Sequence, residues 1–293
     1  MSVTARSISP ASSPTVLIHW VLRIAAAMCF IGHGAFGIRM KPAWVSYFLS
    51  MGFTEGTAYR LMPIVGTVDI LMGIFVLLSP CRAVLLWMTF WGVFTALLRP
   101  WAGESFWETL ERAGNYGVPL AFLAMSGWAR NWKEWFEPIM PAPRESFSPA
   151  RLDRTAMILR LAAGMLLIGH GGFGAFMHKK MLAEHYASVG LGAFPGGAAA
   201  LVPLVGWTEL LLGAAVILAP VSILLAFVLV WKIASELLYP ASGAPWWEFI
   251  ERGGSYAAPL GLLLLRRHSS RVRVAVPEPA VPASERVVTE ARS

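Results

Sequence analysis

The sequence predicts an all-α integral membrane protein with eight transmembrane helices, arranged as two tandem, parallel-repeat four-helix bundles. Three observations lead to this fold class. Of the 293 residues, 56% are hydrophobic and only 14% are charged, whereas soluble chains average about 25% charged residues. Several apolar stretches are long enough to cross a bilayer, and the chain repeats itself internally. Too few polar side chains remain to cover a soluble globule of this size, which excludes a soluble enzyme.

An internal repeat relates the two halves of the chain. The motif LRIAAAMCFIGHGAFG returns as LRLAAGMLLIGHGGFG at an offset of 137 residues, which becomes 140 after three extra residues in the next loop. Three pairs of segments match in the same order: 22–37 with 159–174, 61–80 with 201–220, and 107–120 with 247–260. Matches of this length, in this order, indicate a duplication.

Each copy carries four apolar stretches of roughly the 17–25 residues that a membrane-crossing helix needs. The stretches are continuous and lack the alternation of a membrane strand, so helices are predicted. Because four is an even number, both copies face the same way, as parallel repeats about an axis along the membrane normal. The predicted spans are Val16–Gly37, Leu61–Ser79, Arg82–Leu98 and Phe106–Trp128 in the first copy, and Ala156–Met177, Ala198–Ala219, Val221–Tyr239 and Trp246–Leu265 in the second.

The same patterns divide the chain into segments and orient it. The predicted segments are an N-terminal cytoplasmic tail at 1–15, the first repeat at 16–136, a cytoplasmic linker at 137–155, the second repeat at 156–267, and a disordered cytoplasmic tail at 268–293. Fifteen Lys and Arg fall on the side that holds both termini and eight on the other. This bias places both termini in the cytoplasm and the chain in the cell (inner) membrane. The net charge of +7 is thus an orientation signal, and no nucleic-acid partner is expected.

Ionisable residues inside the predicted spans are the candidates for function, because they are costly in lipid and usually face the interior of the bundle. With the rise of an upright helix, His33, Arg99 and Glu111 come from three helices to one height, about 26 Å above the inner end. This outer layer has a counterpart in the second copy. The candidate ligand-binding residues are His33, Arg99, Glu108, Glu111, Arg112, Tyr116, His170, Glu236, Glu248, Glu251, Arg252 and Tyr256.

A protonatable histidine beside Glu and Arg suits a quinone head group or a similar small ring ligand. The imidazole would donate to a ring carbonyl and a carboxylate would exchange the proton. Glycines flank both histidines, which permits close helix packing or leaves room for a ring. In an alternative interpretation His33 bonds to Glu111 and His170 to Glu251, only holding helices together. In another, the two histidines ligate one b-type haem between the copies.

A deeper layer pairs Arg23 with Asp69 and Arg160 with Glu209. Their estimated heights, about 10 Å and 15 Å above the inner surface, are within reach of an arginine side chain. Buried ion pairs between the first and second helices are therefore expected, with a proton path as the alternative. The sequence contains no catalytic motif or metal site, and Cys29 and Cys81 fall at opposite ends of the membrane. A redox-associated protein with a partner subunit, a small-solute transporter or channel, and a non-catalytic assembly subunit are the competing functions.

One sequence pattern resembles the DoxX and DoxD group of small four-helix membrane proteins. An Arg is followed ten residues later by a His-Gly pair, and G-x-x-[DE]-x-x-x-G follows in the second helix. The matching residues are Arg23, His33, Gly34, Gly66, Asp69 and Gly73, and again Arg160, His170, Gly171, Gly206, Glu209 and Gly213. The resemblance implies a four-helix membrane module and, for the DoxD branch, a part in thiosulfate oxidation with electrons passed to quinone.

Overall fold

The computed structural model describes residues 14–275, with side chains up to residue 266. Within this range the chain is helical and contains no strand. The helices of the first copy are α1 (Pro14–Ile38), α2 (Val45–Ser50), α3 (Glu55–Leu78), α4 (Arg82–Trp101), α5 (Trp107–Glu111) and α6 (Ala113–Ser126). Those of the second are α7 (Pro149–Ala175), α8 (Lys180–Ser188), α9 (Gly197–Leu218), α10 (Ser222–Ala241), α11 (Trp246–Glu251) and α12 (Gly253–Ala275).

Six of the described helices are long and apolar enough to cross a membrane: α1, α3, α4, α7, α9 and α10. The chain is therefore an all-α membrane protein. The helices α2 and α8 are short and lie in the loops between the first and second long helices of each copy. The six long helices begin and end within a few residues of the predicted spans, except that α3 and α7 begin six or seven residues earlier.

Two boundaries differ from the predicted segments. Helix α7 begins at Pro149, so residues 149–155 of the predicted linker are helical. Proline is favoured in the first turn of a helix because its missing N–H would be unpaired there anyway. Helix α12 continues to Ala275, so residues 268–275 are helical and do not belong to a disordered tail. Residues 1–13 and 276–293 of the two predicted tails lie outside the described residues.

The arginines of the deeper layer bind helix ends, which corrects the predicted ion pairs. Arg23 donates to the carbonyl oxygens of Val76, Leu77 and Leu78 at 2.8–3.2 Å, and its guanidinium lies over Trp20. Arg160 donates to the carbonyls of residues 217 and 218 in the same way. The last carbonyls of a helix have no partner within it and carry partial negative charge. They attract the guanidinium groups to the ends of α3 and α9, and Asp69 and Glu209 are left for other partners.

The fourth apolar stretch of each copy is a broken helix that packs against the other copy. The chain leaves helical geometry at Arg112, between α5 and α6, and at Arg252, between α11 and α12. Helices α5 and α6 contact α7, while α11 and α12 contact α1. Helix α6 also contacts α4, and α12 contacts α10, within their own copies. The copies are therefore not two separate bundles, because their first and fourth helices form one shared core.

Repeat-related glycines meet at the centre of this core. A Cβ atom on Gly114 would lie 2.6 Å from the carbonyl carbon of Gly254, and one on Gly254 would clash with the backbone of Gly114. Such an approach is possible only where neither residue has a side chain. The two broken helices thus contact each other backbone to backbone, at the point where the repeat brings equivalent residues together.

Candidate functional site

Close to this contact, charged residues of both copies form a buried cluster, which we call the axial ion network. Arg112 donates to Glu108 at 2.6 Å and to Glu111 at 2.7 Å. Arg252 lies 2.9 Å from both Glu248 and Glu236 and 3.8 Å from Glu111. The network comprises Glu108, Glu111, Arg112, Lys232, Glu236, Glu248, Glu251 and Arg252.

Two lysines outside the network bind its carboxylates and link the copies reciprocally. Lys41 of the first copy lies 3.5 Å from Glu248 of the second, and Lys179 of the second lies 2.5 Å from Glu108 of the first. Breaking a buried charge pair leaves the remaining charge without compensation, which is strongly destabilising. The charges of the fourth stretches therefore hold the two copies together, and this is a structural role.

The two histidines bind carboxylates of the second long helices. His33 Nδ1 lies 2.8 Å from Asp69, and His170 Nδ1 lies 2.5 Å from Glu209. The predicted bonds of His33 to Glu111 and of His170 to Glu251 are wrong. The reason is that the fourth stretch of each copy packs against the first helix of the other copy. Glu111 therefore lies against Gly169 of α7, and Glu251 lies against Gly32 of α1. The glycines next to the histidines therefore serve close helix packing.

The second carboxylate oxygen distinguishes the two pairs. Glu209 accepts a hydrogen bond of 2.9 Å from the indole of Trp231. The repeat-related indole of Trp91 has no hydrogen-bond partner among the described residues. Since Asp69 is one methylene shorter than Glu209, it does not reach the equivalent indole. The dyad of the second copy is thus more fully fixed than that of the first.

The first-copy dyad borders a small cavity, which is more enclosed than the cavity of the second copy and which we call the closed cavity. The cavity has a volume of about 80 Å³ and is lined by Cys29, His33, Phe94, Tyr47 and Trp91, among other residues. The ring of Trp44 lies against the imidazole of His33, with centroids 4.6 Å apart. A volume of this size accommodates a few waters but no substituted ring.

The second-copy dyad borders a larger cavity, which we call the ring cavity. Its volume is about 430 Å³, and Ala234 stands where the first copy has Phe94. Three lining residues are identical in the two copies at the 140-residue offset: Val205, Trp231 and Leu238 correspond to a Val, a Trp and a Leu of the first copy. The lining is apolar except for a few groups: His170, His185, Tyr186, Trp231, Ser235 and Tyr239.

His185 and Tyr186 reach the ring cavity from α8. Burial and the nearby positive charge of Arg252 lower the pKa of His185 below its usual 6.5, so its imidazole is neutral at neutral pH. The imidazole lies edge-on to Tyr239, with ring centroids 4.7 Å apart. Burial also raises the pKa of Tyr186 above its ordinary range. The ring cavity therefore presents neutral hydrogen-bonding groups from α8 opposite the dyad.

A third cavity, which we call the vestibule, is polar and lies between the copies. It has a volume of about 460 Å³ and its lining includes Arg99, Glu104, Lys179 and His170. Arg99 donates to the hydroxyl of Tyr47 at 2.7 Å and to Glu104 at 3.2 Å. The Tyr47 hydroxyl in turn donates to Glu104. Burial raises the pKa of Tyr47 above its ordinary range, which keeps this phenol neutral.

The residues of the predicted outer layer thus do not form one site. Arg99 lines both the closed cavity and the vestibule, while the acids and arginines of the fourth stretches form the axial ion network. Tyr116 and Tyr256 donate to the carbonyls of Thr109 and Phe249, across the helix breaks. A haem between the copies does not fit, because the histidines line separate cavities and Gly114 meets Gly254 between them.

Sequence reasoning missed several residues of the site. They are Lys41, Trp44, Tyr47, Trp91, Glu104, Lys179, His185, Tyr186 and Trp231. For the two tryptophans a signal was present, because Trp91 and Trp231 coincide under the 140-residue offset. For the rest no signal marked them, since they stand in loops or short helices outside the predicted spans.

The comparisons with known proteins add no relative. No protein-family model, no curated protein and no solved structure matches this chain. The resemblance to the DoxX and DoxD group therefore stays a prediction from the motif.

Proposed function

We propose that the chain binds a small ring-shaped ligand carrying a hydrogen-bonding oxygen, such as a quinone head group, in the ring cavity of the second copy. One observation carries this proposal: His170, fixed through Nδ1 by the buried Glu209, forms part of the wall of an apolar cavity. With Nδ1 engaged, Nε2 is the ring nitrogen left for a ligand. Imidazole is the side chain that most often serves as a general acid or base in proteins.

The size and lining of the ring cavity support a small lipid-soluble ligand. Its volume of about 430 Å³ falls among small-molecule sites, which span roughly 300–1,000 Å³ and combine apolar walls with a few polar groups. Leu191 and Phe194 belong to its lining and are also exposed, at 45% and 41%. An apolar entrance favours a ligand that arrives from the lipid. On this proposal the closed cavity is the first copy's counterpart of the ring cavity, and larger side chains such as Phe94, which stands at the position of Ala234, leave no room in it for a ring.

The proposal also includes two membrane spans beyond the six long apolar helices. The broken helices α5–α6 and α11–α12 would also cross the membrane, which gives eight spans in two parallel repeats with both termini in the cytoplasm of an inner-membrane protein. Support for the DoxX-like assignment comes from contacts within its motif, since Asp69 binds His33 and Gly34 packs on the backbone of Gly66. A redox-associated role follows if the ligand is a quinone.

Equilibrium dialysis of purified protein in detergent against menadione, a small naphthoquinone, tests the proposal. His170→Leu should weaken binding about 10-fold, because a lost ligand hydrogen bond costs about 1.4 kcal/mol. His33→Leu is the matched control, since it also removes a carboxylate-bound imidazole, and it should leave binding unchanged. Absence of binding by the unaltered protein, or equal loss in both variants, would refute the proposal.

A further inference from the structure

The ring cavity and the vestibule share part of their lining. Three residues belong to both: His170, Leu182 and Tyr239. Of these side chains, only the imidazole is of a type that commonly relays protons in proteins. His170 therefore separates an apolar compartment, which suits a ring, from a polar compartment that opens at charged and partly exposed side chains. Lys41, Glu104 and Lys179 are 37%, 32% and 27% exposed there.

From this placement we infer that His170 passes protons between a ligand in the ring cavity and solvent in the vestibule. The inference rests on the proposed function and adds the side of the membrane with which the ligand exchanges its proton. With the termini in the cytoplasm, the vestibule lies on the outer side, because its lining comes from the loops after α1, α4 and α7. Proton exchange with the outer side is the consequence.

The transfer balances without any redox step. The O–H bond of a ring hydroxyl breaks as an N–H bond forms at Nε2 of His170, and the ligand keeps the electron pair. The positive imidazole then lies beside the Glu209 carboxylate, which bonds its Nδ1. A solvent molecule in the vestibule takes the proton, which restores the neutral imidazole. For uptake the same steps run in reverse.

The charges around His170 fit this role. Negative charge comes from two helices packed on α7, and positive charge from the breaks of the fourth stretches. Arg112 sits against Glu108 and Glu111, so its charge is offset locally. The titratable and charged groups facing His170 are Glu209 on α9, Glu111 on α5, Arg112 and Arg252 at the two helix breaks, and His185 on α8.

The first copy lacks this arrangement. His33 lines the closed cavity but not the vestibule, and the ring of Trp44, which does line the vestibule, lies against it. His33 thus provides a control within the same molecule. It is an imidazole bonded to a buried carboxylate, like His170, but it does not line the vestibule.

The test uses 2-hydroxy-1,4-naphthoquinone, whose visible absorbance changes when its ring hydroxyl loses a proton. The full chain is placed in sealed vesicles, and the accessibility of a C-terminal tag reports which way it faces. A rapid pH change is applied on one side while the absorbance of the bound dye is followed. We expect the bound dye to respond to pH on the side opposite the termini and not to pH on the side of the termini.

Two matched variants complete the experiment. Gln in place of His170 can still donate a hydrogen bond but does not exchange a proton. With the dye concentration raised until the site of the variant is filled, His170→Gln should slow the response of the bound dye at least 10-fold. His33→Gln should respond like the unaltered protein. A response to pH on the side of the termini, or an unchanged rate in His170→Gln, would overturn the inference. Failure of the unaltered protein to bind the dye would instead overturn the proposed function and the inference with it.

Discussion

The contact between Gly114 and Gly254 gives the most direct quantitative test of the fold. A Cβ atom on Gly114 would approach the backbone of Gly254 to 2.6 Å, about 0.8 Å closer than ordinary contact. The obstructing atoms belong to the backbone, so no side-chain rotation relieves the clash and the two broken helices must separate. Overpacking of this kind costs about 1–3 kcal/mol. At about 2–4 °C per kcal/mol for a large chain, we expect Gly114→Ala to lower the melting temperature in detergent by about 2–12 °C.

Gly56→Ala is the matched control. Gly56 lies in the first turn of α3, and a Cβ atom there would meet no atom within 4 Å. Replacing an exposed helical glycine by alanine is neutral or stabilises by up to about 1 kcal/mol. Thermal unfolding of both variants, followed by tryptophan fluorescence, measures the difference. Equal melting temperatures for Gly114→Ala and Gly56→Ala would show that the broken helices do not meet as described.

Three further predictions concern single contacts. Trp231→Phe should destabilise the protein by about 1–3 kcal/mol, because Glu209 loses a buried hydrogen-bond donor. Trp91→Phe should cost less, because the indole of Trp91 has no hydrogen-bond partner among residues 14–266. Chemical denaturation compares the free energies of unfolding of the two variants. Arg160→Met should lower the melting temperature by several degrees, because the end of α9 loses its partners, while exposed Arg154→Met should not. Because the pKa of His185 is lowered in the folded protein, the imidazole binds a proton more tightly in the unfolded chain, and the stability of the protein should fall as the pH drops below 6.5. His185→Gln should flatten that part of the plot of melting temperature against pH. An unchanged plot in this variant would contradict the burial of the imidazole.

Much of the helical organisation follows from local properties. A run of about 20 apolar residues cannot leave its backbone polar groups unpaired in lipid, so it forms a helix wherever it packs. The predicted spans in α1, α4, α9 and α10 therefore agree with the structure to within a few residues. The fourth stretches do not, because their breaks at Arg112 and Arg252 depend on the partners that these side chains find.

Partners of the charged residues were predicted least well. Heights along upright helices bring Arg23 near Asp69, and His33 level with Glu111, but height says nothing about which helix faces which. The free carbonyls at the end of α3 attract Arg23, and Asp69 then binds His33. Similarly, part of the aromatic lining of the two cavities, such as Trp44, Tyr47 and Tyr186, comes from loops and short helices, where no periodicity marks a residue for the interior.

The sequence alone determined that this chain is an apolar, helical membrane protein with an internal sequence repeat, and it marked the histidines and the carboxylates of the apolar stretches as the residues to examine. Only the tertiary structure decided that the fourth stretch of each copy packs against the first helix of the other copy. This packing makes Glu111 a neighbour of α7 and Glu251 a neighbour of α1. It also separates a structural ion network from two histidine–carboxylate pairs with unequal cavities. The physical reason is that hydropathy fixes whether a segment enters the membrane, whereas the choice of neighbour depends on close contacts such as that between Gly114 and Gly254.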